Sequence, residues 1–193
     1  MSDRIVEAIR AGQPAIIPTD TVYGLVTTAY SSAPVERLYR LKGRSSEQPS
    51  ALLAASLELL FECVPELRGR AGRIAAEVLP GAYTLILPNP GRRFRWLCGT
   101  TPEKIGVRVP VLPAESQAVL DRVGAVASTS ANLPGGPEPR SFAEIPDELR
   151  AACTVLDGGE LPGVPSTVID FTGEEPVVLR KGAGDPARAL RVA

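Results

Sequence analysis

The chain has 193 residues, 44% hydrophobic and 22% charged, with a formal net charge of −1. One globular domain over residues 1–193 with a proper core is expected, and nothing in the overall charge argues for nucleic-acid binding. No stretch approaches the roughly 20 apolar residues of a membrane span, and the N-terminus lacks a signal-peptide core, which points to the cytoplasm.

Residues 3–11 read as a helix with Ile5, Val6 and Ile9 as its apolar stripe. Ala15-Ile16-Ile17 opens a buried strand over 15–19, and 22–28 can form a second. Residues 33–41 look helical, with Val35, Leu38, Tyr39 and Leu41 near-periodic, up to a Lys-Gly-Arg motif. A short strand follows at 51–55, then helices at 57–63 and 67–79, the second ended by Pro80-Gly81. Strands at 83–87 and 105–109 flank a Gly- and Arg-rich excursion. A helix at 115–123 leads to a strand at 125–128 that runs into Ser130-Ala131-Asn132. Residues 133–140, rich in Pro and Gly, read as loop, and strands at 155–156, 167–171 and 177–179 complete the series. Strands and helices interleave throughout. The expected class is α/β, a single domain with a twisted, mixed sheet flanked by helices. No internal repeat or long linker interrupts it.

The sequence contains no histidine. That removes Ser-His-Asp triads, Cys-His dyads and histidine-ligated zinc. Proton transfer is left to carboxylates, Lys, Tyr, hydroxyls or substrate groups. Cys63, Cys98 and Cys153 are odd in number and far apart, so they read as structural thiols. No GxxxxGK[ST] loop is present, and no GxGxxG follows a strand. A nucleotide would have to be held by side chains and single backbone amides.

The segment Pro18-Thr19-Asp20-Thr21-Val22-Tyr23-Gly24-Leu25 carries the most information. It delivers two hydroxyls, a carboxylate and a phenol to a C-terminal strand end, where open α/β sheets keep their ligands. Asp-Thr pairs also serve as plain caps and turns. Lys42 and Arg44 stand two apart at a helix end, an ammonium beside a guanidinium. They suit adjacent phosphates, or simply the helix C-terminus. Arg108 sits on a strand among apolar and small residues and needs an anionic partner, either a ligand's carboxylate or a structural one. Ser128, Ser130 and Asn132 alternate at a strand end, and Ser166 and Thr167 open another strand behind Pro165. Such groups read ligands without adding charge, or cap turns. Asp170, next to Ile169, is expected on the opposite side of its strand, without a catalytic role.

In this order and at these intervals, residues 18–25, Lys42-Gly43-Arg44, Val107-Arg108-Val109-Pro110, 128–132, 165–170 and 179–183 resemble the YrdC-type threonylcarbamoyl-AMP synthase family. The resemblance runs from about residue 5 to residue 185. It implies a YrdC-like fold with a concave basic groove. It also implies a nucleotidyltransferase: L-threonine, bicarbonate and ATP give threonylcarbamoyl-AMP and pyrophosphate, with Mg²⁺ on the phosphates. Carried over by position, it gives Lys42 and Arg44 catalytic roles and assigns Lys42, Arg44, Gln48, Ser130, Asn132 and Arg180 to ATP. Thr21, Arg108, Ser128 and Ser166 fall to threonine, and no residue is assigned to a metal. The product would serve a separate complex that modifies adenosine in tRNA. Two other readings share these residues: an RNA- or nucleotide-binding module without chemistry, and a handler of another carbamoyl-adenylate. The chain departs from the family pattern at Leu53 and Leu112, where histidines are common, and the first departure bears on the amino-acid pocket. Further departures are Gln48 for Asn, Glu138 for a serine, Ser128 for alanine and Pro165 for Glu.

Overall fold

The computed structural model describes residues 2–192, and their apolar runs become nine strands of one mixed sheet. In chain order these are β1 (Ala15–Pro18), β2 (Tyr23–Thr28), β3 (Ala51–Leu53), β4 (Tyr83–Pro88), β5 (Lys104–Arg108), β6 (Val126–Ser130), β7 (Thr154–Val155), β8 (Thr167–Asp170) and β9 (Val177–Arg180). Across the sheet they run β7-β1-β2-β6-β3-β5-β4-β8-β9. The helices are α1 (Ser2–Arg10), α2 (Ser32–Lys42), α3 (Leu57–Cys63), α4 (Gly69–Val78), α5 (Ala114–Val123), α6 (Asp147–Ala152) and α7 (Pro186–Leu190). The α/β class with a mixed sheet, expected from the interleaved runs, is what forms.

Alternation along the strands sorts side chains onto two faces. Leu25, Leu52, Leu85, Val107, Ala127 and Ile169 point to one face and join the larger core, built with Leu38, Leu60 and Ile74 of α2, α3 and α4. On the other face, Ile17, Val26, Leu53 and Val126 form a smaller cluster with Ile5, Val6 and Ile9 of α1 and Val119 and Leu120 of α5. These two helices cover only one end of that face. Beyond them the strands carry mostly small or polar residues. Val26, Ser128, Ala51, Gly106, Ile86 and Asp170 stand in one row across β2, β6, β3, β5, β4 and β8. The middle of that row has almost no side chain, which leaves a hollow over the sheet.

The structure adds α6 and α7, which the sequence reading leaves as loop; helices of six and five residues are too short to show an apolar period. α4 starts at Gly69 rather than 67, because Leu67 and Arg68 close a turn on Val64 and Glu66. β6 runs on to Ser130, which pairs with Gly24. No helix among the described residues is long and apolar enough to cross a membrane.

Candidate active site

The hollow is a cavity of about 650 Å³. That is an ordinary size for a small-molecule site. Lys42 reaches it from the last residue of α2. Gly43 follows at φ +65°, a left-handed cap whose N–H bonds Arg40 O while Arg44 N bonds Tyr39 O. A side chain other than glycine adopts that conformation only with strain, and the reversal sets Lys42 and Arg44 on the same cavity. Lys42 Nζ donates to Asn132 Oδ1 at 2.8 Å, to Ser130 O, and at longer range to Thr129 Oγ1 and Ser130 Oγ. Arg44 Nη1 donates to Thr129 Oγ1 at 2.8 Å, and its Nη2 donates to Pro49 O. Ser130 Oγ donates to Asn132 Oδ1 and Asn132 Nδ2 to Gly136 O, so the amide is fixed from both ends. Burial lowers Lys42 to about 8, helped by Arg44 and opposed by Glu138.

Arg108 lies in the wall where the β1–β2 turn approaches β5. Its Nη2 sits 2.8 Å from Asp20 Oδ1 and 3.4 Å from Thr21 Oγ1. The guanidinium therefore has a structural carboxylate, and yet it still lines the cavity, with its buried Nε and Asp20 Oδ2 unpartnered. Burial pushes the Asp20 carboxyl up while Arg108 pulls the other way. Thr19 Oγ1 donates to Val22 O and accepts from the N–H groups of Thr21 and Val22, a local turn of the kind its sequence allows. Tyr23 does not join the site. Its phenol is buried in the core, donating to Gly159 O and Asp157 Oδ1.

Arg180, at the end of β9, donates through Nε to Ser166 O at 3.1 Å and through Nη2 to Ser166 Oγ at 3.2 Å. Its Nη1 lies 3.7 Å from Glu138 Oε1. Ser166 Oγ also meets Thr84 Oγ1 at 2.8 Å. Arg180, expected beside the nucleotide, thus touches Ser166, expected beside the amino acid, and stands at their junction. Gly182 makes this contact possible: a Cβ there would lie 2.1 Å from Pro165 O.

Thr21, Lys42, Arg44, Gln48, Arg108, Ser128, Ser130, Asn132, Ser166 and Arg180 all line this one cavity. The expectation for Asp170 is corrected. It shares the cavity face with Val168 and Ser166, two and four residues back, and its Oδ2 lies 2.8 Å from Lys104 Nζ. Thr84 and Lys104 are among the lining residues that motif reading misses. The signal was available in β4, where Thr84 and Ile86 alternate with the buried Tyr83, Leu85 and Leu87. Neither departure from the family histidines lines the cavity: Leu53 is fully buried in the cluster under α1 and α5, and Leu112 packs against it.

The sequence profile of the Sua5–YciO–YrdC family, described as telomere recombination, matches residues 7–182. The threonylcarbamoyl-AMP synthase of Pyrococcus abyssi is 34% identical over 90% of this chain and 52% of its own length. The chain thus spans about half of that relative. The crystal structure of P. abyssi Sua5 complexed with L-threonine superposes with a TM-score of 0.88 at 32% identity, covering 100% of this chain and 58% of that one. Escherichia coli YciO superposes with a TM-score of 0.85 at 32% identity, covering 98% of this chain and 92% of that one. Sequence profile, relative and solved structures agree over nearly the whole length, and the chain is a member of the Sua5–YciO–YrdC family.

Proposed function

We propose that this chain makes threonylcarbamoyl-AMP and pyrophosphate from L-threonine, bicarbonate and ATP. The observation that carries this reading is the convergence of Lys42, Arg44, Ser130, Asn132, Arg108 and Arg180 on one cavity, in a chain without a phosphate loop. The amino acid's amine attacks bicarbonate, water leaves, and a carbamate forms. A carbamate oxygen then gives an electron pair to the α-phosphorus of ATP. The bond from that phosphorus to the bridging oxygen breaks, and its electrons leave with pyrophosphate. Lys42 and Arg44 oppose the charge on the phosphoryl oxygens, while Ser130 and Asn132 hold the ammonium in place. Gln48 lines the same wall. Arg108, anchored on one nitrogen by Asp20, turns its guanidinium to the amino acid's carboxylate. Thr21, Ser128 and Ser166 lie near its amine and hydroxyl. No covalent enzyme intermediate forms, so the lack of histidine is no obstacle.

The cavity's two carboxylates, Glu138 and Asp170, each face a cation, and no cluster of three metal-ligating side chains occurs among the described residues. In this reading Mg²⁺ enters on the ATP phosphates, as part of the substrate, and neutralises charge there. Lys42 and Arg108 are only 6% and 8% exposed. That suits a small anion entering a cavity better than an RNA backbone lying across a surface. The product would pass to a separate complex that modifies adenosine in tRNA.

The test is pyrophosphate release from ATP, with and without bicarbonate and with each amino acid in turn. Release is expected to be fastest with threonine and bicarbonate together. Lys42→Ala and Arg44→Ala should each weaken ATP binding about ten- to a hundredfold, the effect of one charge-assisted contact. Arg108→Ala should abolish stimulation by the amino acid and leave ATP affinity near that of the wild type. A wild-type protein that binds ATP but answers to no amino acid would defeat the reading.

A further inference from the structure

Lys104 and Asp170 form an ion pair in the cavity that the reaction above leaves without a role. The carboxylate is the better shielded partner, its side chain 17% exposed against 41% for the lysine. Asp170 Oδ1 accepts from Thr172 N and Oγ1, at 2.8 and 2.6 Å, and Oδ2 accepts from Lys104 Nζ. Both carboxylate oxygens are therefore engaged within the protein. An ammonium has three N–H donors and Asp170 takes one, which leaves two for a ligand. The pair offers the cavity donors rather than acceptors, which is the chemistry of an anion site. Asp170 serves to hold the lysine.

Its position identifies the anion. Lys104, Gly106 and Arg108 alternate along β5, and all three line the cavity. Lys104 and Arg108 are four residues apart, about 13 Å at ~3.3 Å per residue. With no side chain on Gly106, a ligand can lie along the strand between them. Seven bonds join the carboxyl carbon of the amino acid to the β-phosphorus of ATP in the attacking arrangement, a projected length of about 9 Å at ~1.5 Å per bond. A hydrogen bond of ~3 Å at each end brings that span to the scale of the strand segment. In-line displacement sends the leaving group away from the attacking oxygen, hence away from Arg108.

We propose that Lys104, positioned by Asp170, binds the β- and γ-phosphates of ATP and the pyrophosphate that leaves. The identity of the anion rests on the synthase reading, whereas the anion site itself rests on the ion-pair geometry. The test is calorimetric titration of the full chain with magnesium pyrophosphate. The double variant Lys104→Gln/Asp170→Asn keeps a hydrogen-bonded pair without charge and should bind at least about tenfold more weakly. Lys104→Arg should retain most of the affinity. In turnover, the double variant should raise KM for ATP and leave KM for the amino acid unchanged. Wild-type pyrophosphate affinity in the double variant, alongside a loss in Lys42→Ala, would overturn the proposal and leave the synthase reading standing. Lys104-dependent pyrophosphate binding in a protein that no amino acid stimulates would overturn the synthase reading and keep the anion site.

Discussion

The two ends of one sheet face differ in what covers them and in the side chains they carry. Under α1 and α5, positions 26, 53 and 126 are Val, Leu and Val, and all are fully buried. Two residues along the same strands, positions 24, 51 and 128 are Gly, Ala and Ser, and they line the cavity. Backbone geometry and pairing are continuous across the boundary. The change from branched apolar to small or hydroxyl side chains is therefore what separates core from site. A helix covers the first kind, and the second leaves room for a ligand.

Exchanging the two kinds of residue breaks the comparison most strongly on the covered side. Leu53→Ala removes a fully buried side chain from the smaller cluster and should cost about 2–5 kcal/mol of stability, read from denaturant unfolding. The protein that remains folded should bind ATP as the wild type does, because Leu53 does not line the cavity. A loss of ATP affinity without a loss of stability would show that the boundary is drawn in the wrong place.

On the open side, Gly106→Val should do the reverse. A Cβ at Gly106 would sit 3.7 Å from Ser50 O and Thr84 Cγ2, ordinary contact distances, so the strand accepts the side chain. Stability should change by less than about 1 kcal/mol, since valine also suits a strand. Ligand affinity should fall by about 1–3 kcal/mol as the methyl groups fill the space between Arg108 and Lys104. Paired unfolding and titration curves on the one variant check both halves.

How much of this was legible in the sequence follows the same division. Alternation and apolar runs locate all nine strands, and the ten motif residues meet in one cavity because all but Ser128, which lies within β6, stand at a strand end, a helix end or a turn with its own local signal. Part of what was missed lay inside strands. Thr84 and Lys104 belong to no turn motif, and only the strand's two-residue period places them on the cavity face. Asp170 was placed on the wrong face although the same period, counted from Ser166, puts it on the right one. Asp20 and Tyr23 show the opposite failure. Both stand in the strongest motif, yet one anchors Arg108 and the other ties β2 to residues 157–159, which only long-range packing decides. Likewise Leu53, which the family resemblance links to the amino-acid pocket, is core by packing.

A smaller effect comes from the charge that the cavity has to bury. Burial holds Lys42 at about 8, below its ordinary 10.5. A depressed lysine costs stability where the unfolded chain would hold its proton more tightly, so the cost is full below about 8 and shrinks as pH rises toward 10.5. Nucleotide binding has the opposite preference, because phosphate favours the ammonium. ATP affinity should fall up to tenfold per pH unit above about 8, while resistance to unfolding gains slightly over the same range. Titrations at several pH values check the slope, and Lys42→Arg should flatten it.

Glu138 gives the smallest effect and the sharpest view of the open end. Its carboxylate lies 3.7 Å from Arg180 Nη1, and its charge is felt by Lys42 and Arg108 as well. Part of the cationic field is thus satisfied within the protein before any ligand arrives. An entering phosphate has to share Arg180 with this carboxylate, whose like charge it meets at close range. Arg180 is about half exposed, so screening keeps the interaction weak, about 1 kcal/mol or less. Glu138→Gln should therefore strengthen ATP binding a few-fold in calorimetry, with the gain fading as salt is added. The corresponding change at Asp170, whose two oxygens are both bonded within the protein and which holds Lys104, should weaken binding instead. Two carboxylates in one cavity would then act in opposite directions, because one competes with the ligand for Arg180 and the other holds Lys104 in place with donors left for the ligand.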